Sequence, residues 1–256
     1  MARTFVGDRS KLNPNVIEKI QTLSDDFWVL AEFTVSRNVD LLLIRPMGNE
    51  PAVVILAEVK GVKGRLRGST NGPWQQEMSP GEWADIEPPN SADINYYFQA
   101  VNTVNALIEW LHNNAPVIGQ GSNYPWSDIR VWPDLLIFSP NPETAHLLPV
   151  APDNKFGMWF TDADKWLAHV ESWRPRIGPA LTHEDVDSLV SYLGLVPLVE
   201  GQRVPLPEFS WEEEPDLQST LQKVKGLEQR VQRMETLLAD LARVLTPARP
   251  RGGGLL

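Results

Sequence analysis

The clearest pattern of hydrophobic positions lies between residues 39 and 59, where two apolar runs flank one short polar segment. The runs at 39–45 and 52–59 are rich in Leu, Ile and Val, and the segment between them is Met47-Gly48-Asn49-Glu50-Pro51. Gly, Asn and Pro favour turns, whereas short apolar runs bounded by such residues favour strands. The pattern therefore predicts two adjacent antiparallel strands joined by a tight connection.

Charged residues occupy the open end of this hairpin. A turn centred on Asn49 pairs residues whose numbers sum to 98, and this register sets Asp40 opposite Glu58. Because side chains alternate along a strand, Lys60 shares the face of both carboxylates. Two carboxylates about 4 Å apart repel by roughly 4 kcal/mol at an effective dielectric of about 20, so a cation should lie between them. Closely grouped oxygen ligands favour Mg²⁺ or Mn²⁺.

Elsewhere the pattern alternates between helices and strands. The predicted elements are a helix over 14–23, a strand at 27–35, a helix capped by Ser91 and reaching Leu111, a strand at 131–138, and short helices at 162–173 and 183–194. Residues 64–91, rich in Gly, Pro and polar residues, are predicted to form a long loop. Pro133 places its strand toward a sheet edge or lies at the start of that strand. The fold class is α/β, with a mixed sheet of four or five strands flanked by helices.

The sequence Asp40 followed by Glu58-Val59-Lys60 on the next strand resembles the active-site motif of the restriction-endonuclease-like PD-(D/E)XK superfamily. The match is closer to one branch, the nuclease-related domain (NERD) family. The residues that fit this branch are Glu18 on a preceding helix, Gly64, Trp74 after Gly72-Pro73, and Gln99 four residues after Asn95. Val39 replaces the proline of the superfamily motif, and Tyr96 stands where the branch has a proline. The resemblance covers roughly residues 10–170.

The resemblance implies a restriction-endonuclease-like fold and hydrolysis of phosphodiester bonds. In such a site Asp40, Glu58 and the backbone carbonyl of Val59 would ligate Mg²⁺ or Mn²⁺. Lys60 would position and deprotonate the attacking water or stabilise charge on the phosphate. The further catalytic residues that the resemblance implies are Glu18 and Gln99.

The third carboxylate of the site has two candidates. Glu18 occupies the position that the resemblance implies, but at about 100° per residue it lies nearly opposite the apolar face of its helix. Glu32 is the alternative, since it lies in an apolar strand next to the hairpin. An isolated charge there is costly unless it is paired or functional.

The net charge of −10 argues against broad nucleic-acid binding, because such affinity comes mainly from phosphate neutralisation. Contact with DNA or RNA must therefore be local. The candidate nucleic-acid-binding residues are Lys63, Arg65 and Arg67 in a Gly-rich basic stretch, Asn95 and Asn102 beside Gln99, and Trp74, with Trp83 as a second tryptophan that could stack on bases. We expect DNA as the partner in preference to RNA.

Other residue types exclude several kinds of site. The chain has no cysteine, which excludes disulfides and thiolate chemistry, and its four histidines are not spaced like zinc ligands. Asp134 lies in a sequence similar to that of Asp40, but no Glu-x-Lys follows it, so we interpret Asp134 as structural.

From residue 212 onward the pattern becomes a heptad repeat. The a positions are Leu217, Val224, Val231, Leu238 and Leu245, and the d positions are Thr220, Leu227, Met234 and Leu241. Val at a with Leu at d favours a two-stranded coiled coil. We expect a homodimer through residues 217–245, or a partner protein that supplies the second helix. The alternative is an amphipathic helix docked on its own domain.

These patterns predict four regions and a cytoplasmic protein. The regions are a nuclease-like domain at 1–180, a small helical extension and linker at 181–211, the coiled-coil helix at 212–247 and a disordered tail at 248–256. No apolar run approaches the roughly 20 residues that cross a bilayer, and the N-terminus does not resemble a secretory signal. We therefore expect no membrane partner.

We expect a metal-dependent nuclease acting on DNA, with RNA as a second substrate class. One alternative is a catalytically inactive domain that only binds nucleic acid. Another is a coiled-coil adaptor subunit of a nucleic-acid-processing or defence complex. The presence of Asp40, Glu58 and Lys60 together favours the enzyme, because binding alone has no physical need for all three.

Overall fold

A computed structural model describes residues 1–62, 64–68, 72–88, 93–119, 125–138, 158–160 and 162–198. The strands are β1 (Arg3–Val6), β2 (Trp28–Thr34), β3 (Asn38–Met47), β4 (Glu50–Gly61), β5 (Leu66–Gly68), β6 (Trp74–Ser79), β7 (Glu82–Asp85), β8 (Trp132–Phe138), β9 (Met158–Phe160) and β10 (Val196–Pro197). The helices are α1 (Pro14–Ile20), α2 (Tyr96–Ile118), α3 (Ala163–Ser172) and α4 (His183–Tyr192), with 3₁₀ turns at Arg9–Lys11 and Pro125–Asp128.

Within these ranges seven strands form one mixed sheet in the order β10-β1-β2-β3-β4-β8-β9. The pairs β1–β2, β4–β8 and β8–β9 are parallel, and the other three pairs are antiparallel. The expected mixed sheet flanked by helices is confirmed. The sheet is wider than the four or five strands predicted because β1, β9 and β10 are too short to show a hydrophobic pattern of their own.

The hairpin of β3 and β4 forms the centre of the sheet. Its register pairs Leu41 with Ala57 and Arg45 with Val53, which is the predicted pairing of numbers that sum to 98. The two-residue turn contains Gly48 at φ +66°, a conformation that glycine adopts without a Cβ clash. Strand β2 next to the hairpin and the Asn13-capped helix α1 also lie where the sequence predicts them.

Helices cover both faces of this sheet. On one face, Leu42 and Leu56 pack in a core with Val104 and Leu107 of α2 and Leu189 of α4. A second core lies on the opposite face and contains Leu43, Ile55, Val16 and Ile20 of α1, and Trp166 of α3. The even-numbered residues of β4 therefore face α2, and its odd-numbered residues face α1 and α3.

Residues 181–198 do not form a separate extension. Val186, Leu189 and Val190 of α4 are buried in the α2-side core, and β10 pairs with β1. The short helices predicted at 162–173 and 183–194 are confirmed as α3 and α4, and Thr182 caps α4 through a reciprocal pair of hydrogen bonds with Asp185.

The prediction of a long loop at 64–91 is wrong in its described part, where β5, β6 and β7 form a three-stranded antiparallel sheet. One face of this small sheet buries Leu66 and Trp74 against Tyr97, Leu135 and Ile137. Because only these two large apolar residues are involved, the alternating pattern of a strand was too weak to recognise in the sequence.

Two further details differ from the prediction. Asn95 caps α2, with its side-chain oxygen accepting the N–H of Phe98, whereas Ser91 lies outside the described residues. Of the two positions predicted for Pro133, the sheet edge is wrong, since β8 lies between β4 and β9, whereas the start of a strand is confirmed. Pro133 is tolerated because it is the second residue of β8 and the pairing with β9 begins only at Asp134.

None of the helices in the described ranges is long and apolar enough to cross a membrane. The predicted coiled coil at 212–247 and the predicted disordered tail at 248–256 lie outside the described residues.

Candidate active site

Asp40 and Glu58 meet at the open end of the central hairpin. Continuing the β3–β4 register by one residue beyond the Leu41–Ala57 pair sets these two carboxylates opposite each other. The Asp40 Oδ2 atom accepts the backbone N–H of Val59 at 2.8 Å, so this side chain takes the place of a main-chain acceptor. Asp40 is partly exposed, whereas Glu58 is 1% exposed.

Lys60 and Gln99 both bind the same oxygen of Glu58. The Lys60 Nζ and the Gln99 Nε2 each donate to Glu58 Oε1 at 2.5 Å. Gln99 lies on α2, which confirms that Glu58 and Lys60 face this helix. The Lys60 ammonium also lies 5.3 Å from the centre of the Tyr96 ring, within the range of a cation–π contact.

The second oxygen of Glu58 is buried without a hydrogen-bond partner among the described residues. The Oε1 atom of Gln99 is likewise buried without a hydrogen-bond partner among the described residues. Burial and, next, the Asp40 carboxylate raise the pKa of Glu58 to about 7, although Lys60 opposes this shift. Two acceptor oxygens without donors, beside a carboxylate that resists ionisation, form a site to which a cation would be attracted.

Glu32 adds a third carboxylate on the strand next to Asp40. Ala31 pairs with Leu41 and Phe33 with Val39, so the register sets Glu32 opposite Asp40. The backbone of Glu32 has φ +50°, a left-handed value that is uncommon for a residue with a side chain. Burial and then Asp40 raise the pKa of Glu32 to about 8. The structure thus brings Glu32 to the open end of the hairpin.

The structure does not bring Glu18 to this group. Glu18 is exposed on α1, and α1 packs against the sheet face opposite to α2. The sheet therefore lies between α1, which carries Glu18, and the side on which Glu58, Lys60 and Gln99 meet. The family position that the resemblance implies is occupied by a carboxylate, but the fold directs it to solvent.

Trp74 and Asn95 are also not available as contacts for nucleic acid. Trp74 is fully buried in the core between the small sheet and α2, because its indole supplies much of the apolar surface that holds β5–β7 in place. Asn95 is fully buried as the cap of α2 and donates to the carbonyl of Gly72 at 2.8 Å. Both residues matter for the fold around Gln99.

The two described arginines of the basic stretch contact neighbouring side chains. Arg65 is bound by both oxygens of Glu77, and Arg67 donates to Gln75 Oε1 at 2.6 Å. The guanidinium of Arg67 also lies 4.2 Å from the centre of the Trp83 ring. Lys63 lies outside the described residues. Arg65 is therefore paired with a carboxylate, whereas Arg67 keeps its charge beside a neutral amide.

A buried ion pair that the sequence did not predict adjoins the site. Arg37 Nη1 contacts both carboxylate oxygens of Asp93, at 3.3 and 3.0 Å, and Asn102 Nδ2 donates to the same carboxylate at 2.6 Å. The side chain of Asn102, a candidate nucleic-acid contact, thus donates to a buried carboxylate of the protein. Asn102 lies one helical turn after Gln99. Arg37 and Asp93 are 56 positions apart, and no spacing rule connects them.

Asp134 has the structural role that the sequence indicates. Its carboxylate is buried on the opposite face of the sheet, where it accepts the indole N–H of Trp166 at 3.1 Å and lies 3.7 Å from His169 Nε2. In the described part of the chain no three His, Asp or Glu side chains are grouped closely enough to hold a metal ion as they stand.

Comparison with known proteins adds no relative. No protein-family model matches the chain, and neither a curated protein nor a solved structure matches it. What the site can do follows from its own groups, which are two facing carboxylates, a third carboxylate on the next strand, an ammonium and a carboxamide.

Proposed function

We propose that this chain is a metal-dependent nuclease of the restriction-endonuclease-like type, similar to the NERD family, which hydrolyses phosphodiester bonds in DNA and, as a second substrate class, RNA. The observation that supports this proposal best is the state of Glu58. Its carboxylate is buried opposite Asp40, with one oxygen bound by Lys60 and Gln99 and the other without a described partner. A buried charge in this state is costly, and a cation would compensate for it.

The available donors fit Mg²⁺ or Mn²⁺. Both ions prefer hard oxygen ligands, and Asp40, Glu58 and the backbone carbonyl of Val59 would supply them, with Glu32 as the third carboxylate in place of Glu18. Asp40 keeps lone pairs for this purpose, because each of its oxygens accepts one described donor: Oδ2 accepts the Val59 N–H, and Oδ1 accepts the Asn38 side chain. Side-chain rotations at Asp40 and Glu32 would draw these carboxylates around the ion, since no three of the described groups are close enough without them.

The side chains around the carboxylates have separate roles. A bound ion supplies Lewis acidity, which polarises the phosphate and lowers the pKa of a water. Lys60 has three N–H donors, of which one binds Glu58, so the others can hold the attacking water or a phosphate oxygen. Gln99 holds Glu58 from the side of α2 and thereby fixes the orientation of its second oxygen.

The proposal includes a homodimer through residues 217–245. The heptad pattern of that segment supports it. Two copies of the site in one particle would permit paired cuts in a duplex.

A cleavage assay tests the proposal. Purified protein is incubated with linear and circular DNA and with RNA, in Mg²⁺, in Mn²⁺ and in EDTA. We expect cleavage only with metal, loss of cleavage in Glu58→Gln, and normal cleavage in Glu109→Gln, which removes an exposed carboxylate farther along the same helix as Gln99. Cleavage that survives EDTA, or full activity in Glu58→Gln, would contradict the proposal.

A further inference from the structure

We infer that Arg37 binds a substrate phosphate next to the one that is hydrolysed. This inference rests on the proposed nuclease function and extends it, because it assigns the anchoring of the strand to a residue outside the basic stretch at 63–67. Its ligand is the phosphate backbone of a nucleic acid, which a guanidinium recognises without reading the bases.

One edge of the Arg37 guanidinium is held inside the protein. Its Nη1 binds Asp93, whose side chain has no exposed surface. Arg37 itself lies in the connection between β2 and β3, and 23% of its side chain is exposed. The buried carboxylate therefore fixes the end of a side chain that is partly exposed.

The other edge of the guanidinium has no hydrogen-bond acceptor among the described residues. Within the described part of the chain, Arg37 donates hydrogen bonds only through Nη1, which leaves the N–H groups of Nε and Nη2 without a protein acceptor. This edge has the planar fork geometry that binds phosphate through two parallel hydrogen bonds. Because Asp93 already restricts the side chain, a phosphate bound there would incur little further loss of rotamer entropy.

Two chains of contacts connect Arg37 with the carboxylates. The next residue, Asn38, donates through its side chain to Asp40 Oδ1 at 3.2 Å. On the other side, Asp93 accepts Asn102, which lies one turn of α2 beyond Gln99, and Gln99 binds Glu58. Arg37 thus lies beside the open end of the hairpin, where a strand that enters the site must pass.

The charges around the site explain why such a residue is needed. A phosphate that approaches Asp40 and Glu58 meets two negative groups, so it requires cationic contacts. The cations nearest in the described part of the chain have other contacts: Lys60 binds Glu58 and keeps its remaining donors for the phosphate that is hydrolysed, and Lys11 contacts Asn38 and Asp8. Arg65 binds Glu77, and Arg67 binds Gln75. Arg37 combines partial exposure, a fixed position and two unused donors.

Binding measured by fluorescence anisotropy tests this inference without relying on cleavage. Labelled single-stranded and duplex DNA and a labelled single-stranded RNA are titrated with the full chain in Ca²⁺ at several salt concentrations. The variants are Arg37→Gln, Arg37→Lys and Arg130→Gln. Arg130 is the matched control, because it is exposed and precedes β8 at the end of the sheet away from Lys60.

We expect Arg37→Gln to bind about tenfold more weakly, as for the loss of a charged hydrogen-bonded contact. The slope of log K against log salt should fall by about 0.7 for a single strand and about 0.9 for a duplex, which is the loss of one phosphate contact. Arg37→Lys should keep the slope and lose part of the affinity, because a lysine retains the charge without the fork. Arg130→Gln should resemble the wild type.

Loss of folding is separated from loss of contact by a second variant. Arg37→Gln leaves Asp93 buried without its cation, whereas the double variant Arg37→Gln/Asp93→Asn removes both charges. If the double variant melts like the wild type and still shows the reduced affinity and slope, the inference is supported. Wild-type affinity and slope in either variant would overturn it while leaving the nuclease proposal intact. A wild type that binds none of these strands would overturn both.

Discussion

Glu32 lies opposite Asp40 at the point where the pairing of β2 with β3 is interrupted, between the Ala31–Leu41 and Phe33–Val39 pairs. Its φ of +50° costs on the order of 1–3 kcal/mol for a residue with a side chain, so the surroundings must impose it. They do so through the segment that follows β1, since the N–H of Asp8 donates to the Glu32 carbonyl at 2.7 Å. A Cβ at Gly7 would lie 2.6 Å from the same carbonyl oxygen. The fold thus holds two carboxylates together.

The first prediction separates the two candidates for the third carboxylate. If Glu32 joins Asp40 in holding the ion, Glu32→Gln should weaken Mn²⁺ binding about tenfold, measured by calorimetric titration. Glu18→Gln removes the same charge from the exposed side of α1 and should bind Mn²⁺ like the wild type. Equal Mn²⁺ affinities in the two variants would contradict a role for Glu32 in holding the ion.

The second prediction concerns pH. Glu58 and Glu32 have pKa values raised to about 7 and about 8, so the folded state binds protons more tightly than the unfolded chain does. Their contribution to the free energy of unfolding is complete below about pH 4.5 and is lost as the pH rises through about 7 and 8. The melting temperature in EDTA should therefore fall between pH 5 and 8.5.

The control for this pH effect is a side chain that cannot titrate. Glu32→Gln should show a smaller fall in melting temperature over the same range, whereas Glu18→Gln should show the wild-type fall. An identical pH profile in Glu32→Gln would contradict the burial-driven shift at this residue.

A third prediction concerns the catalytic residues themselves. Asp40→Ala, Glu58→Ala and Lys60→Ala should each abolish cleavage while circular dichroism remains that of the folded protein. Glu58→Gln should raise the melting temperature without metal, because it removes one of two repelling carboxylates and keeps the side-chain volume. A large loss of stability in Glu58→Gln would instead indicate that the Lys60–Glu58 pair stabilises the fold.

The fourth prediction links metal to stability. An ion that binds only the folded protein stabilises it by about 2.7 kcal/mol at a hundredfold excess over Kd. Mn²⁺ should therefore raise the melting temperature of the wild type and leave that of Asp40→Ala/Glu58→Ala unchanged. Differential scanning calorimetry with and without Mn²⁺ measures both. An equal rise in the melting temperature of the two proteins would indicate that Mn²⁺ binds at another site.

The fifth prediction concerns association. The apolar seam at 217–245 should make the chain a dimer, with a mass in light scattering of about twice 28.8 kDa. Replacing both Leu227 and Met234 with Glu would put repelling charges in that seam and should yield monomers. Deletion from Ser210 onward should do the same. A dimer that persists after the deletion would rule out this role for the segment.

The central hairpin and the groups at its end could be predicted from local sequence. The turn residues between 47 and 51 fix the pairing register of the two strands, and each strand shows its hydrophobic pattern within ten or twelve residues. The pairing of Asp40 with Glu58 therefore depends only on residues that are close in the sequence. Gln99 could also be singled out from the sequence, because the resemblance marks its position and the hydrophobic period predicts the helix that carries it.

Which other residues lie beside the hairpin depends on packing between distant segments. Glu18 and Glu32 are both acidic residues near the hairpin in sequence, but α1 packs on one face of the sheet while β2 places Glu32 beside Asp40. Trp74 is similar, because its burial depends on Tyr97 and Leu135 from distant segments. The contact between Arg37 and Asp93 depends on where the start of α2 crosses the β2–β3 connection. Local pattern sets the period and register of an element, whereas packing between elements sets which of its faces meets a partner.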